Sequence, residues 1–229
     1  MKAFRKLLDK FIPQYARLPL LTVLGFNFIV YYSPKFLVSA DRLHYLQTSF
    51  DDSLPRIPIF IFLYVLAFLQ WGFGYIIIAR DSRERCYRIL SGELIAKTVT
   101  LAIFLIYPTV IRHEPVEVTG PSTWLLAFIY ASDEPPINLF PSLHCLESWL
   151  CFRGAVGLKK MPRWYTWFQL SFTLLVFASV LLVKQHVWPD VLGGIAVAEL
   201  GQLLRRLFHA ERLFEKLFPQ GDPHEKNIR

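Results

Sequence analysis

Long runs of apolar residues constrain this 229-residue chain more than any other feature, because a run of about 20 is what an α-helix needs to cross the hydrocarbon core of a bilayer. The candidate spans, in order, are Leu18 to Tyr32, Ile57 to Ile78, Leu94 to Ile111, Pro141 to Gly157, Trp164 to Val183 and Val187 to Phe208. Backbone polar groups in lipid must be satisfied internally, and continuous apolar runs, unlike alternating ones, satisfy them as helices. The expected fold is therefore all-α: an integral membrane six-helix bundle over residues 18–208. A hydrophobic content of 54% argues against a water-soluble globule of this size. A shorter stretch, Trp124 to Ala131, is too short to span and suits a re-entrant or interfacial piece.

Residues 1–17 carry Lys2, Arg5, Lys6 and Lys10 with Phe4, Leu7, Leu8 and Phe11 at helical spacing, which predicts an amphipathic helix lying on the membrane surface. Residues 209–229 read as a cytoplasmic tail, disordered from Gln220. Basic residues set the orientation. With both termini inside, nineteen of the 25 lysines and arginines fall on the cytoplasmic side, and Lys35, Arg42, Arg56, Arg112 and Lys184 fall outside. Lys97, within the third span, reads as a snorkelling residue near the inner membrane edge. The net charge of +7 flanks apolar runs and is not interleaved with aromatics in a groove, so anionic lipid and not nucleic acid is its expected partner. The three cysteines, Cys86, Cys145 and Cys151, lack the short paired spacing of a zinc or redox site.

Two stretches can carry chemistry. In Asn138-Leu-Phe-Pro-Ser-Leu-His144, a proline and a serine lead directly into a span. In Ser179-Val-Leu-Leu-Val-Lys-Gln-His186-Val-Trp-Pro-Asp190, a histidine and an aspartate stand four apart at the start of the last span, one helical turn from each other. Both histidines fall at the outer face, where ionisable groups are costly and mark function. A carboxylate bonded to one imidazole nitrogen fixes the tautomer and frees the other nitrogen to attack an electrophile such as phosphorus. His144 can then protonate the leaving oxygen. Arg112, Lys184 and Ser142, the last with the backbone N–H groups opening its helix, are the candidate phosphate-binding groups. Two histidines and an aspartate can also bind zinc, but the cations Arg112 and Lys184 favour an anion, and no metal or other cofactor is expected. Glu147, one turn after His144, is read as either a proton relay or a partner of another helix. Gly193, Gly194 and Ala198 suit close helix packing, and Asn138 suits a cap or buttress of the fourth helix.

These residues resemble the type 2 phosphatidic acid phosphatase superfamily. Its Pro-Ser-Gly-His motif is similar to Pro141-Ser142-Leu143-His144, and its Ser-Arg-x5-His-x3-Asp motif is similar to Ser179 through Asp190. Leu143 replaces the glycine, Val180 replaces the arginine, and the Lys-x6-Arg-Pro motif is absent, with Tyr107 to Arg112 as its remnant. The pattern is closer to the inositol phosphorylceramide synthase branch, including its bacterial members. The resemblance implies a six-helix enzyme of a bacterial cytoplasmic membrane in which His186 becomes phosphorylated, Asp190 is its partner and His144 is the acid. A lipid phosphatase acting on a lipid phosphate or diphosphate is the first reading and a phosphotransferase between lipids the second. A transporter or binder of anionic lipid is the non-catalytic alternative.

Overall fold

The computed structural model describes residues 11–219, so most of the expected surface helix and the tail from Gln220 lie outside the described residues. Within them the chain is helical and forms no strand. The helices are α1 (Gln14–Leu37), α2 (Ser49–Ser53), α3 (Ile61–Asp81), α4 (Arg83–Ile106), α5 (Pro121–Ser132), α6 (Leu143–Ala155), α7 (Arg163–Leu182), α8 (Trp188–Phe208) and α9 (Glu211–Leu217).

Each expected span contains a helix, but only four of these helices are long and apolar enough to cross a membrane: α1, α3 with its preceding turn from Pro58, α4 and α7. The first runs well past the expected Tyr32, through Pro34 to Leu37, and the third begins at Arg83 instead of Leu94. At about 1.5 Å per residue, 24 residues extend about 36 Å. The 13-residue α6 extends about 20 Å, short of the roughly 30 Å apolar core. The 21-residue α8 carries Asp190, Glu199, Arg205 and Arg206. Four membrane-length apolar helices thus stand where six spans were expected, and α6 and α8, too short or too charged to cross by length and composition alone, pack against them in the bundle. Trp124 to Ala131 lies within the 12-residue α5.

Ordered turns gather at the two ends of the bundle. At one end, Ser82 separates α3 from α4, and its hydroxyl caps α4 by accepting from Arg85 N–H at 3.2 Å. The Asp81 carboxylate accepts from the backbone N–H groups of Lys159 and Lys160 at 2.7 and 3.0 Å, while Arg85 donates to Val156 O at 2.7 Å. The basic segments Arg80 to Arg88 and Arg153 to Arg163 therefore share one end, as the charge reading requires. At the other end Ile57 N–H bonds Leu182 O at 2.8 Å, and His44, Thr109 and Asn138 are joined by parallel bridges. Thr109 Oγ1 accepts from Phe140 N–H at 2.8 Å, which ties the Pro141-Ser142 approach to this layer.

Apolar side chains fill two main clusters. One, around Tyr64, Leu126, Cys145, Val176 and Val180, lies toward the bridged end, and the other, around Tyr75, Ile78, Tyr87, Leu90 and Phe214, lies toward the basic end. Phe214 belongs to α9, so residues just past Phe208 pack on α4 and α1 as part of the fold. Outward faces of α1 and α7 show Leu21, Leu24, Phe36 and Trp167 without cover from this chain, the surface a bilayer would take up. Interior polar groups pair across helices: Gln70 with Gln169 and Thr173, and Trp71 Nε1–H with Ser148 Oγ at 2.9 Å.

Candidate active site

His186 precedes α8 in a turn built by the end of α7. Lys184 adopts the left-handed conformation at φ 55°, which lets the N–H groups of Gln185 and His186 both bond Val180 O, at 3.0 and 3.1 Å. Asp190 sits in the first turn of α8, after Pro189. One of its oxygens, Oδ2, accepts from Val187 N–H at 3.0 Å and meets His186 Nδ1 at 3.1 Å. A single buried carboxylate thus caps the helix and orients the imidazole.

His144 enters from the first turn of α6. Ser142 is the N-cap, its hydroxyl accepting from Cys145 N–H at 3.3 Å, and its own N–H donates to Asp190 O at 3.0 Å. That backbone bond joins the two sequence motifs directly. Close approach of α8 makes it possible: a Cβ on Gly194 would lie 2.7 Å from Ser142 O, and one on Gly193 2.5 Å from the Phe140 ring. Leu143, where the related motif has glycine, packs on Val30 of α1 and Phe104 of α4. The ring of His144 stacks on Tyr64 at 4.1 Å and meets Trp71 and Phe68 edge-on, and its Nε2 is buried without a hydrogen-bond partner.

The two imidazole centroids are 6.3 Å apart. Both rings line one cavity of about 280 Å³, walled by Tyr64, Phe68 and Trp71 of α3 and by Asn27, Phe28 and Tyr31 of α1. At its rim Tyr31 hydroxyl and Lys35 Nζ both bond the Asp133 carboxylate, the lysine at 2.9 Å, which fixes α1 to the end of α5. Asn138 buttresses α1, donating to Tyr31 O at 2.7 Å.

Not every sequence-predicted residue joins this cavity. Arg112 and Lys184 line a separate pocket of about 220 Å³ with Arg56, Asp52 and Glu114. Arg112 Nε–H donates to Tyr45 hydroxyl at 3.1 Å, and Lys184 Nζ donates to Asp51 O at 2.5 Å. Ser142 is fully buried as a helix cap and does not line the cavity. His113 stacks on Tyr130 at 3.7 Å, and burial pushes its ring below the usual histidine range. Lys97 does not snorkel to the membrane edge. It is buried between Glu93 and Glu147, whose carboxylates hold its ammonium in the interior at 2.6 Å each. Among the described residues no group of three or more His, Cys, Asp or Glu side chains is placed to hold a metal ion.

The family model described as the PAP2 superfamily matches residues 43–204, more than half of the chain. The chain belongs to the PAP2 superfamily. No curated protein and no solved structure matches it. PAP2 membership makes a phosphatase or phosphotransferase of lipid phosphates the general function, and the match takes in both histidine motifs. Helix α1 lies outside the matched region although it supplies one wall of the histidine cavity.

Proposed function

We propose that this PAP2 protein is a membrane lipid phosphatase in which His186 attacks the phosphorus of a lipid phosphate or diphosphate and His144 protonates the departing oxygen. The observation that carries this reading is the pair of imidazoles on one cavity, 6.3 Å apart, with the Asp190 carboxylate on Nδ1 of His186. The carboxylate holds the Nδ1–H tautomer, so the lone pair of Nε2 is free for attack. An attacking atom in a productive pose stands about 3–3.5 Å from its target, so one phosphorus centre lies within reach of His186 while its leaving oxygen meets His144. As the N–P bond forms, the P–O bond breaks and the imidazolium proton of His144 passes to the alkoxide. Water then attacks the phosphohistidine, returning a proton to His144, and inorganic phosphate leaves.

The aromatic wall suits the apolar part of a lipid. Arg112 and Lys184 act from the neighbouring pocket, as positive charge along the approach of an anionic headgroup. A transferase uses the same residues with an alcohol in place of water, and the Pro141-Ser142-Leu143-His144 variant favours it as the second reading. Purified protein in detergent, given lipids labelled in the phosphate, separates the two: label released as inorganic phosphate supports the hydrolase, and label on a second lipid supports the transferase. No turnover across a broad lipid panel, with His186→Ala retaining full lipid binding, would instead mean a binder or transporter. We infer a site at the non-cytoplasmic face of a bacterial cytoplasmic membrane, with both termini inside, a reading supported by the bias of lysine and arginine toward the opposite side. Labelling of a cysteine near Arg112 only from the cytoplasm overturns that orientation.

A further inference from the structure

Beneath the histidines lies a second set of ionisable groups that the transfer step above does not use. Lys97 Nζ, on α4, donates to Glu93 Oε1 and Glu147 Oε1 at 2.6 Å each and approaches Val23 O of α1 at 3.4 Å. From α3, Tyr75 hydroxyl donates to Glu147 Oε2 at 2.5 Å. Glu93 Oε2 is buried and has no partner. None of the three charged residues is more than 4% exposed.

Charge counting constrains this cluster. Two carboxylates and one ammonium, all ionised, leave one uncompensated negative charge in a region shielded from water, a far costlier arrangement than a neutral one. Neutrality is restored by one proton on the carboxyl pair. Both oxygens of Glu147 accept hydrogen bonds, whereas Glu93 Oε2 accepts none, and the common ammonium links the two carboxyl groups, so the pair holds that proton as one unit. Glu147 is also the member of the cluster that lines the histidine cavity, three residues along the same helix from His144. A 280 Å³ cavity has room for water to bridge the two. The other titratable groups around Glu147 are Cys151 on its own helix and, lining the cavity, Tyr31, Tyr32, Tyr64, Asp133 and His186.

Resting on the phosphoryl-transfer reading, we propose that the Glu93, Lys97 and Glu147 cluster is the proton store of the site, with Glu147 as the positioning residue that charges His144. His144 sits among the rings of Tyr64, Phe68 and Trp71, with its Nε2 lacking a hydrogen-bond partner. It needs a proton before it can act as an acid. A proton moving from the carboxyl pair to His144 leaves one more ionised carboxylate and one imidazolium, so the net charge of the interior is unchanged. Protonating His144 from bulk solvent would add a charge to that interior. When the leaving alkoxide takes the proton and the attacking water later returns one to His144, the carboxylate recovers it and the cycle closes.

The test compares two long-chain phosphate esters that differ only in leaving group: an alkyl ester, whose alkoxide must be protonated, and a nitrophenyl ester carrying an alkyl chain, whose phenolate need not be. Glu147→Gln and Glu93→Gln keep the side-chain shape while removing the ionisable carboxyl, and at position 147 the amide N–H donates to the Tyr75 hydroxyl where a carboxylate oxygen had accepted from it. Expected is a fall in kcat of about 10²-fold or more on the alkyl ester, with the aryl ester retained within about threefold and an unchanged elution profile and melting temperature. Equal losses on both esters in a folded variant, or no loss on either, overturn the proton store and leave the histidine mechanism standing. Wild-type protein inactive on both esters overturns the phosphoryl-transfer reading itself.

Discussion

Gly194→Ala tests how tightly the two histidine motifs are held together. The new Cβ would stand 2.7 Å from Ser142 O, 3.0 Å from Cys145 Cβ and 3.1 Å from Leu146 N, all parts of a helix start that cannot swing aside like a side chain tip. Restoring an ordinary C···O contact of about 3.4 Å moves α8 away from α6 by about 0.7 Å. The Ser142 N–H to Asp190 O bond, now 3.0 Å, then stretches beyond the normal range. His186 and Asp190 retreat from His144 with it. Overpacking of this kind costs about 1–3 kcal/mol, and because a 1 Å misplacement can cost about 10²-fold in rate, turnover should fall about 10- to 100-fold. The assay is phosphate release from a lipid phosphate by purified protein in detergent. Gly25→Ala and Gly72→Ala are the controls, since a Cβ at either position meets nothing within 4 Å. Turnover of Gly194→Ala within twofold of wild type would refute the claim that the α6 and α8 contact sets the catalytic geometry.

Asp190→Asn should lower kcat by about 10²- to 10⁴-fold, because an amide stabilises the wrong imidazole tautomer, with lipid binding measured separately and unchanged. Lys35→Met leaves the half-buried Asp133 carboxylate without its ammonium, and loss of about 3 kcal/mol should lower the melting temperature by about 6–12 °C. His113 is held below its ordinary value of 6.5 by burial, so the unfolded chain binds more protons in that range. Stability should therefore rise with pH up to about 6.5 and be lost as pH falls below it, and His113→Phe, which keeps the ring against Tyr130, should flatten that loss in melting curves taken from pH 5 to 7.

Hydropathy located the helices because lipid demands continuous apolar length, and that demand is written residue by residue in segments such as Ile61 to Ile78. It was weakest where the bundle supplies the shielding: α6 holds Glu147 and Arg153 in a 13-residue helix. The pairing of His186 with Asp190 was legible in the spacing, but its cause is helix capping: His186 precedes α8, and Asp190, in the first turn after Pro189, reaches back to Val187 N–H and the imidazole. The place of Arg112 was not. It follows irregular backbone after Ile106, where no period relates sequence distance to space, and Tyr45 from a remote loop claims its guanidinium. Lys97 was misread for a related reason: a lone lysine in an apolar run looks like a snorkelling residue until Glu147, 50 positions away, is known to face it. The aromatic wall had a signal that went unread, since Tyr64, Phe68 and Trp71 recur at spacings of four and three, one face of a helix.

The most direct measurement is of the phosphoenzyme itself. Protein incubated with a lipid carrying labelled phosphate, quenched rapidly and mapped by peptide, should hold label on His186 that is stable to alkali and lost in acid, and His186→Ala should hold none. Label elsewhere, or unchanged labelling of His186→Ala, would contradict the assignment of His186 as the attacking group.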